Sequence, residues 1–335
     1  MSPARAVLWV AESLRADAPE KLDLPNFRAV EASGTRFRRC VMTFPARIQK
    51  DPVFWAVIPN LSIVTGTVLW DRRQTLAEVL CSRGRCVHVA AFPAYKTCDA
   101  GFHRSYFKNY PDLVLAYKCI EWIEEEDPIL AVVHPQDLMN AGAEKEIRPG
   151  GLYEAGSAYR TWAAKQDEAL GFFVSHLKRL KKWDDTLFIL VGDHGLSHKG
   201  GHPPSDPETW FSPLVVKGPG VKKGASFDLA ECVDVAPTVC RLLGSPAPRG
   251  ATGRVLGEAL ESSGGEPTSG EPKLLRLQEM AIEFDRRIAA SPLPEEKKAA
   301  LKAEFLGYEN YPKWAPFESM DALIAHNRSV LAKVP

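Results

Sequence analysis

Two rhythms of apolar and polar positions run along this chain. Short, unbroken apolar runs at Ala6–Val10, Cys86–Phe92, Ile129–His134, Thr186–Val191 and Pro213–Lys217 predict strands buried on both faces. Between them the spacing becomes helical. Thr75–Cys81 reads as a helix with Gly84 placed to end it, and Asp112–Glu125 as another. Tyr153–Lys182 carries Leu170, Phe173, Val174, Leu177 and Leu180 on one face, with a basic last turn that suits the helix dipole. Asp228–Leu243 is expected to be a shorter helix entered through Pro237. Strands alternating with helices predict an α/β fold: a three-layer α/β/α sandwich with a largely parallel central sheet.

Beyond Ser245 the texture changes to Pro, Gly, Ser and Glu, culminating in ESSGGEPTSGEP, a solvated linker in composition. The expected organisation is a main domain at 1–262, a linker at 263–272 and a helical C-terminal extension at 273–335. Lys273–Ala290 and Pro294–Leu306 have amphipathic spacing, and the aromatic FLGYENYPKWAPF precedes a last helix. Such aromatic residues suit either a cap over a site or a homodimer interface, and the sequence leaves both open.

Composition excludes some classes. Lys+Arg and Asp+Glu number 42 each, so no global basic field recruits nucleic acid or anionic lipid. The N-terminal apolar run is broken by Glu12, and no stretch approaches the ~20 apolar residues of a membrane span. Seven cysteines without a CxxC pair read as buried free thiols, and hence as a cytoplasmic protein.

The richest chemistry lies in Thr186–His202, TLFILVGDHGLSHKGGH. A buried strand ends in Asp193-His194-Gly195, and α/β folds place active sites at the carboxyl ends of strands. Side-chain alternation breaks down there, so Asp193 and His194 can turn toward one ion while Gly195 allows a sharp bend. Carboxylate plus imidazole suits zinc or manganese. Gly200-Gly201-His202 delivers another imidazole on a flexible loop.

VGDHGLSHKGGH, FSPLVVKGPGVKKG and DVAPTVCRLLG, in that order, resemble the C-terminal half of the alkaline phosphatase superfamily. Sulfatases, nucleotide pyrophosphatase/phosphodiesterases and phosphoethanolamine transferases share this layout. The resemblance implies that Glu12, at the exit of the first strand, binds the metal together with Asp193 and His194. It also implies that the Thr in Thr43-Phe44-Pro45-Ala46-Arg47 is both nucleophile and metal ligand. A Thr cannot become formylglycine, whereas its alkoxide is competent toward phosphorus when a metal lowers its pKa.

Arg47 could clamp non-bridging phosphate oxygens, with Arg15 and Lys96 as further candidates. The insertion Ile48–Pro59, with Phe54 and Trp55, separates Thr43 from the matching NLSIVTG segment, which leaves Thr65 as an alternative nucleophile. Asp137 resembles the Asp of a D-x-x-G-H motif whose His is missing. Asp137 and His202 either hold a second ion, with His134 or His198 as its third ligand, or contact substrate beside a single ion. The reading is a metal-dependent hydrolase of small-molecule phosphoesters, using one or two Zn2+ (or Mn2+) ions and a phosphothreonine intermediate. Its alternatives are a sulfatase-like hydrolase of sulfate or phosphonate esters and an inactive relative that binds a ligand.

Overall fold

A computed structural model describes residues 3–43, 58–69, 74–143, 151–262, 272–307, 313–314 and 317–335. Among them eight strands form one sheet: β1 Arg5–Ala11, β2 Thr35–Val41, β3 Cys86–Ala90, β4 Arg104–Phe107, β5 Leu130–His134, β6 Thr186–Gly192, β7 Phe211–Lys217 and β8 Ala225–Glu231. Their spatial order is β4-β3-β5-β1-β6-β7-β2-β8. Pairings are parallel except those of β7, which runs antiparallel to both β6 and β2.

The central strands read as continuous apolar runs because each face of the sheet is covered. Along β1, Ala6, Leu8 and Val10 enter one core while Val7, Trp9 and Ala11 enter the other. The first core is closed by helices Ile58–Thr65, Leu76–Leu80 and Val235–Leu242, the second by Pro25–Ala32, Asp112–Glu126 and Ala158–Arg179. This is the expected three-layer sandwich. No helix among the described residues is long and apolar enough to cross a membrane, and all seven cysteines are free thiols.

Three strands escaped the apolar pattern. β2 carries Arg36, Arg38 and Arg39, and buried Arg36 is tolerated because Glu31 and Glu20 pair with it at 2.9 and 2.5 Å. β4 and β8 are the sheet's edges and only partly buried. The helix expected over Asp228–Leu243 is corrected accordingly. Ala225–Glu231 pairs with β2 as a strand, a 3-10 turn follows at Cys232–Asp234, and the helix spans Val235–Leu242. The physical cause is a reciprocal cap: the Glu231 and Asp234 side chains each accept from the other's backbone N–H, ending the strand and opening the helix. The helix expected at Tyr153–Lys182 is Ala158–Arg179, started by Ser157, whose Oγ accepts from Arg160 N–H at 3.1 Å.

The C-terminal helices share the first core rather than standing apart. Leu274, Leu277, Met280, Ala281, Phe284 and Ile288 of the helix Lys273–Ala290 pack into it, and Gln278 Nε2 donates to the Met42 carbonyl. The stretch before the linker is not loose either, since Leu256 and Ala259 are fully buried; residues 263–271 lie outside the described residues.

Glu231 ties the two parts together. Its Oε1 accepts from Leu274 N–H at 2.6 Å and Leu275 N–H at 3.2 Å, capping the helix Lys273–Ala290. Burial, with the neighbouring Asp234 carboxylate, pushes the Glu231 carboxyl from 4.5 up to about 7. The folded state therefore holds this proton more tightly than the unfolded chain. Its contribution to stability is complete below pH 4.5 and is lost as pH rises through about 7. Glu231→Gln keeps the acceptor and removes the titration. Urea unfolding at several pH values should show the wild type losing up to ~3 kcal/mol more than the variant across that window. Parallel pH profiles would contradict this.

Candidate active site

β1, β2, β5 and β6 point the same way, so the residues that follow them meet one edge of the sheet. Glu12 leaves β1 at the centre, His134 ends β5 on one side, and Asp193-His194 follow β6 on the other. Glu12, Asp193 and His194 each present a ligand atom within 4.8 Å of the others, and all three are buried.

Local backbone geometry aims each group. Ser13 adopts φ 56°, a left-handed turn that brings its N–H to Asp193 Oδ1 at 3.0 Å. The His194 N–H reaches the same oxygen at 2.9 Å. Two backbone donors thus hold Oδ1, while buried Oδ2 has no hydrogen-bond partner among the described residues. His194 Nδ1 lies 2.8 Å from the Gly195 carbonyl, which only accepts, so Nδ1 carries a proton and Nε2 is the nitrogen turned to the carboxylates. That Nε2 lies 3.3 Å from Glu12 Oε1 and 3.6 Å from Asp193 Oδ2. Gly195 has to be glycine, since a Cβ there would stand 2.2 Å from the Glu208 carbonyl oxygen.

The electrostatics show two carboxylates confined together. Burial, aggravated by Glu12, holds the Asp193 carboxyl well above its usual range. Burial would also raise Glu12, but the His134 and His194 imidazoles outweigh it and hold Glu12 well below. Burial acts to lower His194 too, yet Asp193, Glu12 and the Gly195 carbonyl push it up to about 9. Two adjacent buried carboxylates favour a positive charge between them, and a cation that displaces the His194 proton would find Nε2 as a further donor. This set fits a divalent cation of the zinc or manganese kind.

The other sequence-derived candidates separate in space. His134 joins the group: Nε2 is 3.4 Å from Glu12 Oε2 and 3.8 Å from Asp193 Oδ2, and neither ring nitrogen makes a hydrogen bond among the described residues. His202 stacks beside His194, ring centroids 4.3 Å apart. His198 does not reach the group; it is exposed, with its N–H and Nδ1 on Glu208 at 3.0 and 2.6 Å. Asp137 turns elsewhere. Its Oδ2 accepts from Asp112 N–H at 3.1 Å while Asp112 Oδ1 accepts from Asp137 N–H at 2.9 Å, a clasp between the loop after β5 and the start of the preceding helix, Asp112–Glu126. Lys96 is exposed on the turn Pro93–Cys98. Arg15 is occupied by Asp17, Glu208 and the Leu196 carbonyl.

Thr43 is fully buried just past β2, with its N–H directed to the Cys232 sulfur and its Oγ1 without a hydrogen-bond partner among the described residues. β7 stands between β2 and β6, a backbone separation of roughly 10 Å across two strand spacings. Thr65 is committed within its own helix, donating to Leu61 O at 2.7 Å. Arg47 and the insertion 48–57, including Phe54 and Trp55, lie outside the described residues.

Gln136 was not singled out from the sequence. Its Nε2 donates to Glu12 Oε2 at 3.4 Å and to Tyr95 OH at 3.0 Å, and Tyr95 in turn meets the Asn60 side chain at the start of the helix Ile58–Thr65. Its backbone N–H is fixed by Asp112 Oδ1 at 2.6 Å. The one hint was its place in His134-Pro135-Gln136-Asp137, beside a candidate ligand.

The sulfatase family profile matches residues 94–245. A multifunctional alkaline phosphatase superfamily protein, PehA of Trinickia caryophylli, is 30% identical over 153 residues, 44% of this chain and 28% of that protein. Over this region the chain is similar to proteins of the alkaline phosphatase superfamily. It matches well under a third of that relative's length. Superfamily folds also superpose on it: a phosphonate monoester hydrolase of Agrobacterium radiobacter at TM-score 0.60 and 18% identity, covering 80% of this chain and 79% of that one. Murine ectonucleotide pyrophosphatase/phosphodiesterase 5 gives TM-score 0.55 at 14% identity, covering 72% and 96%.

Proposed function

We propose that this protein is a metal-dependent hydrolase of phosphoric esters with Thr43 as nucleophile. The observation that carries the metal dependence is the buried Glu12–Asp193–His194 group with its unpartnered Asp193 Oδ2. A divalent cation there would act as a Lewis acid on a phosphoryl oxygen and lower the pKa of a nearby hydroxyl.

The chain's own residues supply the rest. The Thr43 hydroxyl sits on the same sheet edge, buried and without a partner, a costly state that a reacting group would justify. Its oxygen bonds to phosphorus as the phosphorus–alkoxide bond breaks, and the phosphothreonine is then cleaved by water. Arg47, four residues on in sequence, is assigned to the non-bridging oxygens. His202, stacked beside His194, is assigned to the proton that the leaving alkoxide takes up.

A second reading is favoured by the sulfatase profile: sulfate or phosphonate esters as substrates. Threonine at position 43 speaks against the formylglycine route to sulfate esters. One assay separates the two. Chelator-stripped protein is reloaded with Zn2+ or Mn2+ and offered aryl phosphate mono- and diesters, an aryl phosphonate ester and an aryl sulfate. Metal-restored turnover of the phosphates is the expected result. Faster sulfate or phosphonate cleavage favours the second reading, and inertness toward every ester with either metal defeats hydrolysis altogether.

A further inference from the structure

We propose that His134 is a fourth protein donor to the cation held by Glu12, Asp193 and His194, so that two carboxylates and two imidazoles surround one ion. This rests on the metal-dependent reading above and adds a ligand that the superfamily resemblance does not supply.

Strand order makes the arrangement. β1 lies between β5 and β6, so Glu12 stands in the middle, with His134 on one flank and Asp193 and His194 on the other. Each Glu12 oxygen faces a different imidazole: Oε1 is 3.3 Å from His194 Nε2 and Oε2 is 3.4 Å from His134 Nε2. Asp193 Oδ2 is shared, 3.6 Å from His194 Nε2 and 3.8 Å from His134 Nε2.

These separations can be compared with those around zinc. Donors bound tetrahedrally at ~2.0–2.1 Å stand ~3.3–3.4 Å from one another. Each imidazole stands at that edge from a different Glu12 oxygen, so one ion takes both only when Glu12 binds through both oxygens or turns between them, and the Asp193 Oδ2 separations are 0.2 to 0.5 Å longer. Hydrogen bonds do not explain the approach, because His134 Nδ1, His134 Nε2 and Asp193 Oδ2 are buried and make none among the described residues.

The His134 imidazole is 1% exposed and set at the end of a central strand, with the Tyr95 ring edge-on at 4.5 Å. Leaving such a buried ring unbonded is destabilising, and a metal bond removes that cost. Two other candidates for a fourth place are engaged, Asp137 with Asp112 and His198 with Glu208. Two imidazoles with two carboxylates select zinc or manganese over calcium and magnesium. Zinc sites expand to five-coordination, which leaves access for an entering oxygen.

X-ray absorption at the zinc edge, on the full chain loaded with one equivalent of Zn2+, counts the imidazoles directly. Two are expected. A single imidazole overturns the proposal and leaves the metal-dependent reading standing, whereas failure to take up stoichiometric zinc overturns both. Competition with a chromogenic chelator provides an independent measure. His134→Gln should weaken Zn2+ binding by about 100-fold or more, and unchanged affinity would reject the fourth donor. If that variant does not fold, absorption by the unaltered chain decides.

Discussion

Thr43→Ala abolishes phosphoester turnover, by roughly 10⁴-fold or more, while zinc binding and fold persist. The expectation follows from what surrounds the side chain. Oγ1 is fully buried and without a hydrogen-bond partner among the described residues, so none of them is held by the hydroxyl. A buried hydroxyl left unpaired costs about 1–3 kcal/mol. Thr43→Val, which keeps the shape and deletes that oxygen, should therefore raise the midpoint of thermal unfolding while eliminating activity. Stability increased and turnover lost together mark a group kept for chemistry. A threonine present only for packing would give the reverse: an active Thr43→Val enzyme of unchanged or lower stability. Full turnover in Thr43→Ala would remove the nucleophile assignment outright.

Asp193→Asn is expected to weaken zinc binding by about 100-fold and to cost about 10³-fold in turnover. Asp193 Oδ1 is already held by the Ser13 and His194 backbone N–H groups, and an asparagine oxygen can keep both bonds. What changes is the buried, unpartnered Oδ2, where an NH2 would face the cation and His194 Nε2. Without metal, the substitution removes a carboxylate confined beside Glu12, so the metal-free variant should be at least as stable as metal-free wild type. With Zn2+ present the ranking should invert, because only the wild type gains from ligand binding. Calorimetry in chelator and in excess Zn2+ reads both halves. A variant less stable in chelator and still stabilised by Zn2+ would make Asp193 a structural residue.

Much of this site lies in short stretches legible in one dimension. Leu187–Val191 is apolar throughout because both faces of the sheet are covered, and its end marks a carboxyl edge before any contact is known. Asp193-His194 follows at once, and Glu12 follows β1 in the same manner. Such groups converge because adjacent parallel strands deliver their exits together. Lone residues were harder to place. Asp137 has the appearance of a ligand in sequence, yet its carboxylate bonds the Asp112 N–H. Gln136, one position earlier, is the one that touches Glu12. One step along an irregular loop reverses the side-chain direction, and no periodicity reports it.

Edge strands were missed for a related reason. β8 exposes alternate residues, and its Asp228 pairs with Arg39 at 2.5 Å, so its composition resembles that of a surface helix. Within the Pro, Gly, Ser and Glu texture that starts near Ser245, Leu256 and Ala259 are buried, separated by polar residues that the packing accommodates.

By itself the sequence determined the layered α/β class, the central strands, the Glu12, Asp193 and His194 candidates and the absence of a long apolar span, since each depends on contiguous residues. The tertiary structure alone decided which histidine joins them and that the C-terminal helices complete the main core. Those outcomes depend on strand order and on the direction of single side chains. β5 and β6 lie on either side of β1, and this neighbourhood of distant segments sets His134, rather than His198, against the two carboxylates.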